Sequence, residues 1–96
     1  MKKILLIGAG GHCKSCIDVI EKIGEWQIAG IINQKESSVI DVLGYPVIGS
    51  DEDLPDLRKT YEFAFVTVGQ IRSAELKLKL FNQLKTLGFK QPGLVS

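Results

Sequence analysis

The sequence predicts an α/β fold, a parallel sheet flanked by helices within a single small domain. Three observations predict it. Apolar runs alternate with helix-period patterns along the 96 residues, the signature of βαβ units. The first apolar run, Lys3–Ile7, is unbroken and stops at Gly8, as a strand buried on both faces does. A glycine-rich turn, Gly8-Ala9-Gly10-Gly11, leads from that run into a helical pattern. This strand, turn and helix order gives an otherwise weak glycine motif its meaning.

Taken in order, Lys3–Ile7 is the first and central strand. Cys13, Cys16, Ile17, Ile20 and Ile23 recur at helical spacing and mark the inner face of a helix beginning near Gly11. Lys14, Asp18, Glu21 and Lys22 fall mostly elsewhere, and Gly24 suits the C′ position that ends the helix. Trp26–Ile32 reads as the second strand, and residues 33–45 as a polar loop. Tyr45-Pro46-Val47-Ile48 is expected as a short edge strand, because proline is tolerated there and not in a central one. Ser50 is a candidate helix cap with Asp53 as its capping-box partner, and Leu54 and Leu57 would point inward. Glu62–Val68 is the next strand, ending at Gly69. A long helix from about Ser73 to Leu87 follows, with Leu76, Leu80, Leu84 and Leu87 as its buried stripe, Lys77 and Lys85 towards solvent, and Gly88 as its stop. Leu94-Val95 would begin one more strand.

Composition bounds the function. Twelve basic residues against eleven acidic leave a net charge of +1, which argues against broad attraction to nucleic acid or anionic membranes. No apolar run approaches the roughly 20 residues of a membrane span. The run after Met1-Lys2-Lys3 ends at four residues, Ile4 to Ile7, too short for the h-region of a signal peptide. A cytoplasmic protein is expected. There is no internal repeat, low-complexity tract or linker. Cys13-Lys14-Ser15-Cys16 has the C-x-x-C form at a helix start, where thiol pKa values fall. Both cysteines, however, lie on the expected core face, so packing explains them better than redox chemistry. His12 adds a third potential metal ligand without a fourth, and no zinc site is expected.

The chemistry concentrates on the glycine loop. Gly8 permits a tight turn off the strand, and Gly10 and Gly11 remove side chains where a phosphate would approach the backbone. The first N–H groups of the helix lack intrahelical partners and carry the positive end of its dipole. An anionic phosphate or diphosphate is the natural guest, although the same turn can also close a βα unit that binds nothing. The dinucleotide pattern G-x-G-x-x-G is met at Gly8 and Gly10, and its third position is Cys13. An acid about 20 residues further on usually selects NAD; Asn33 stands there instead. The adjoining dipole is expected to disfavour protonation of His12, which as a neutral imidazole could bond a phosphate or sugar hydroxyl, or simply a neighbouring loop. Gln70 and Arg72, after the later strand, fall at the carboxyl edge of the sheet, where open α/β sheets bind ligands. Loop hydrogen bonding and solvation are their alternative roles. No complete catalytic constellation is present.

Ile4-Leu5-Leu6-Ile7-Gly8-Ala9-Gly10-Gly11-His12, Ile17-Asp18-Val19-Ile20, Gly44-Tyr45-Pro46-Val47-Ile48-Gly49 and Val66-Thr67-Val68-Gly69 together resemble the N-terminal domain of the sugar O-/N-acyltransferases of NeuD/PglD type, over essentially the whole chain. The resemblance implies that residues 1–96 form a Rossmann-like domain binding a sugar or nucleotide-sugar substrate, a UDP-linked amino sugar in the best-understood branch. The enzyme implied is an acetyl-CoA-dependent sugar O-/N-acetyltransferase of surface-glycan or sialic-acid-type biosynthesis. Its C-terminal left-handed β-helix, absent from this chain, would bind acetyl-CoA, carry the catalytic histidine and form the homotrimer, so no cofactor is expected here. By the same resemblance Gly10, Gly11 and His12 would meet the phosphates, with Gly8 counted among the substrate-binding residues at the turn. Asn33, in place of a common acid, would lie near the nucleoside. Gln70 and Arg72 replace the Asp-Asn pair frequent in the UDP branch and look closer to the sialic-acid O-acetyltransferase branch. Two other readings stay open at this point: a standalone nucleotide-binding or regulatory module, and a fragment of an NAD-binding oxidoreductase.

Overall fold

Ile4, Leu5, Leu6 and Ile7 are all buried, so the strand they form has no solvent face and belongs inside a sheet. In a computed structural model, which describes residues 2–9, 11–34, 38–67 and 74–91 (backbone only at 11, 12, 74, 76 and 77), β1 (Lys2–Ile7) is flanked on both sides. It pairs in parallel with β2 (Trp26–Ile32) and, on its other side, with the strand Phe63–Val66. Outside β2 lies a hairpin of β3 (Asp41–Val42) and β4 (Tyr45–Gly49), in which β4 is parallel to β2 and β3 antiparallel to β4. With Phe63–Val66 as β5, the order is β3-β4-β2-β1-β5. The parallel strands therefore run outward from β1 in one direction and then restart on its other side, the arrangement of a Rossmann-like half-sheet.

Alternation along β1 feeds two cores. Ile4 and Leu6 face α1 (Gly11–Ile23), where Cys13, Ile17, Ile20, Ile28, Ile31 and Val42 join them. Leu5 and Ile7 face the opposite side, where α2 (Leu54–Leu57) and α3 (Ala74–Leu87) contribute Leu54, Leu80 and Leu84, with Phe89 just beyond. Ile23 departs from expectation. It is 40% exposed, because the tenth residue after Cys13 lies roughly 80° round the helix from it. Leu87 is only partly buried. The side chain of Leu76 and the strand expected at Leu94-Val95 lie outside the described residues.

The segment expected as loop, 33–45, contains β3, and β4 is not the edge strand. Leu43 and Gly44, with φ of 51° and 89°, form a two-residue hairpin turn of the primed kind, whose twist matches the strands. The Val47 N–H donates to the Ile40 carbonyl at 2.8 Å, so the Pro46 nitrogen points the other way, towards β2. Pairing with β2 begins at Val47, which leaves the missing proline N–H ahead of that ladder. Tyr45 donates to the Glu21 carboxylate at 2.5 Å, fastening the hairpin to α1.

Between Ile4 and Leu5 the β1–β2 register skips a residue, Ile4 pairing with Ile28 and Leu5 with Gly30. This bulge at Ala29 places Ile28 and Ile31 on one face despite their odd spacing. A Cβ on Gly30 would lie 2.7 to 2.9 Å from three side-chain carbons of Ile48. Gly30→Val is therefore expected to cost about 1–3 kcal/mol, seen as a lower urea midpoint at constant m value. An unchanged midpoint would mean that Ile48 swings clear.

The helix ends follow their expected chemistry. Ser50 opens a 3₁₀ turn, Asp51–Asp53, that runs into α2. Its N–H donates to the Asp53 carboxylate at 2.8 Å, the return half of a capping box. At the end of α3, Gly88 donates to the Lys85 carbonyl and Phe89 to that of Leu84, the paired bonds of a Schellman motif. Arg58 donates to the Gly88 carbonyl at 3.0 Å. Lys90 then pairs in parallel beside Phe63.

Candidate functional site

The carboxyl ends of β1, β2, β4 and β5 share one edge of the sheet, and the sequence order restarts between β1 and β5. That is the place where open α/β sheets form a ligand crevice. Gly8 leaves β1 there with φ of 115°, a conformation L side chains rarely adopt. Its N–H donates to the Ile32 carbonyl of β2 at 2.7 Å. From the other side Thr67, fully buried at the end of β5, donates its hydroxyl to the Gly8 carbonyl at 2.6 Å, with the Ile7 carbonyl 3.0 Å away. The Thr67 N–H donates to the same Ile7 carbonyl at 2.9 Å. The turn is thus clamped by both strands that neighbour β1.

Helix α1 begins at Gly11. Its first turn, Gly11-His12-Cys13-Lys14, contains no acid, so no carboxylate of its own neutralises the positive helix end. Cys13 lies beneath this turn and Lys14 is exposed. Burial pushes the Cys13 thiol up from its ordinary value, a hydrogen bond with Thr67 pulls it down, and the neighbouring Cys16 adds to the rise. A buried thiol held protonated is a packing group and not a nucleophile, which agrees with the core position expected for both cysteines.

Asn33 is half-buried at the end of β2, and its N–H donates to the Gly49 carbonyl of β4 at 3.1 Å. Because Ile32 pairs with Ile7, Asn33 sits beside Gly8. The structure therefore brings together Gly8, the backbone of Gly11 and His12, and Asn33. Gly10, Gln70, Arg72 and the His12 side chain lie outside the described residues. Sequence reasoning missed Thr67, whose signal was a hydroxyl closing the otherwise apolar run Phe63–Val66. Among the described residues no group of three His, Cys, Asp or Glu side chains could hold a metal ion. No helix among them is long and apolar enough to cross a membrane.

Residues 3–84 match the PglD N-terminal domain family. The chain belongs to that family. Among solved structures, this PglD N-terminal domain is similar to a perosamine N-acetyltransferase variant from Caulobacter crescentus, solved with CoA and GDP-perosamine. The identity is 34% and the TM-score 0.77, over 93% of this chain and 40% of that one. It is also similar to the acetyltransferase domain of PglB from Neisseria gonorrhoeae, solved with acetyl coenzyme A, at 29% identity and a TM-score of 0.71, over 93% of this chain and 41% of that one. The PglD N-terminal domain chain thus spans about two-fifths of the length of these acetyltransferases. A UDP-D-quinovosamine 4-dehydrogenase from Vibrio fischeri shares the fold, with a TM-score of 0.70 at 16% identity. That likeness is one of fold alone, and the oxidoreductase reading gains nothing more from it. A comparison with curated proteins finds no match.

Proposed function

We propose that this domain binds the nucleoside-diphosphate-sugar acceptor of a sugar N- or O-acetyltransferase. The diphosphate sits over the turn from Gly8 into α1. Backbone N–H groups of the loop and of the first helical turn donate to it, with Gly10, Gly11 and His12 at the phosphates. Asn33 lies at the nucleoside, where an amide both donates and accepts. Gln70 and Arg72 complete the contacts from the β5 side. The observation that carries the reading is the Gly8 turn, which feeds an acid-free helix start at the sheet's restart point. Membership of the PglD N-terminal family, and the GDP-perosamine named with one similar acetyltransferase, support the choice of ligand class.

In this proposal acetyl transfer takes place in the cytoplasm on a left-handed β-helix domain outside the chain. That domain would bind acetyl-CoA, form the trimer, and supply a histidine that takes a proton from the acceptor amine or hydroxyl as it attacks the thioester carbonyl; the C–S bond then breaks and the proton passes to the departing CoA thiolate. Calorimetric titration of the 96-residue chain with UDP-sugars, GDP-sugars and NAD tests the binding step. Saturable binding of a nucleotide sugar with none of NAD is expected. Preference for NAD, or a folded domain that binds no nucleotide, would overturn the proposal.

A further inference from the structure

We propose that Thr67 is a positioning residue for the ligand, acting through the orientation of a single peptide plane; this rests on the diphosphate reading above. A trans peptide is planar, with its C=O and N–H pointing in opposite directions. The Thr67 hydroxyl holds the Gly8 carbonyl at 2.6 Å on the β5 side, within the fold. The N–H of the same peptide belongs to Ala9 and is thereby turned away from Thr67. Among the described residues nothing accepts from it. It becomes the first donor of the loop, ahead of those at the start of α1.

The hydroxyl is well suited to this task. It is fully buried, so no water competes for its proton. It has one proton for two carbonyls, and the shorter contact, to Gly8, takes the larger share. Cys13, also fully buried, contacts the same oxygen from the first turn of α1. One side chain at the end of β5 therefore couples the sheet, the loop and the helix start. Gly8 makes the arrangement accessible, since φ of 115° is a conformation that L side chains rarely adopt. A valine at 67 would fill a similar volume and leave the Gly8 carbonyl without its donor, so the peptide would be free to turn over.

The test uses the whole chain with GDP, UDP and inorganic pyrophosphate as probes. Thr67→Val is expected to weaken binding about tenfold or more, while Thr67→Ser, which keeps the hydroxyl, stays within about threefold of the parent. The readout that a merely structural role would not move is the Ala9 amide in a ¹H–¹⁵N spectrum. It should shift downfield on ligand addition in the parent and in Thr67→Ser, and stay in place in Thr67→Val. Equal affinities of parent and Thr67→Val would overturn the role of Thr67 and leave the site intact. A parent that binds none of the three probes would overturn the site reading and this inference with it. Should Thr67→Val fail to fold, the parent decides: an Ala9 amide unmoved by a bound probe overturns the inference.

Discussion

Leu5→Ala is expected to destabilise the domain by about 2–5 kcal/mol, the range for a large buried aliphatic truncated to alanine. The upper half of that range applies here. Leu5 is 0% exposed at the middle of the central strand. It belongs to the same core cluster as Leu54, Leu80 and Leu84 of the helices, and it pairs with Ala64 of the adjacent strand. A cavity there is walled by a sheet on one side and two helices on the other, and neither can move in without breaking hydrogen bonds or separating from its neighbours. Domains of this size are stable by about 5–15 kcal/mol, so a large fraction of the margin is at stake. Urea unfolding followed by circular dichroism reads the loss directly. A change below about 1 kcal/mol would show that the core around Leu5 collapses to fill the space.

Gly8→Ala is expected to have the largest effect on ligand binding. Holding a residue with a Cβ at φ of 115° costs on the order of 1–3 kcal/mol, and relief is available only if the turn changes shape. Two bonds resist that change, the N–H to Ile32 at 2.7 Å and the carbonyl to Thr67 at 2.6 Å. If the turn yields, the loop amides leave their positions, and GDP affinity should fall by more than about tenfold. If it does not yield, the strain appears as lost stability. Calorimetry and urea unfolding on the same sample separate the two. Parent-like values in both would show that the Gly8 conformation is incidental to site and fold.

What the sequence disclosed and what it hid follow from the range of the interactions involved. The bounds of β2 and the start of α1 were legible because apolar periodicity is a local signal, and Gly8, Gly24 and Gly88 marked the ends. The hairpin was hidden. Its turn puts Leu43, an ordinary apolar residue, at a positive φ that no propensity announces, and β3 has only two residues. The Ala29 bulge was hidden as well, since strict alternation would send Ile28 and Ile31 to opposite faces. At the carboxyl edge of the sheet, the places of Gly8 and Asn33 could be read from spacing. Thr67 could not, because a threonine at a strand end passes for a common β-former. Its role depends on a carbonyl 59 positions away in the chain, and that proximity exists only after the sheet has assembled.

The sheet divides the apolar interior into two compartments, and β1, β2 and β5 each send side chains into both. Helix α1, with the loop that leads into it, rests on one compartment, and α2 and α3 rest on the other. A fluctuation that lifts α1 therefore need not disturb the opposite layer. Such partial opening lies below the global transition in free energy. On the reading proposed above, it would erase the phosphate site while most of the hydrogen-bonded framework persists. On that reading, affinity and bulk resistance to denaturant are separable properties, and a ligand bridging loop and strand ends would act as a latch on the layer that opens more readily.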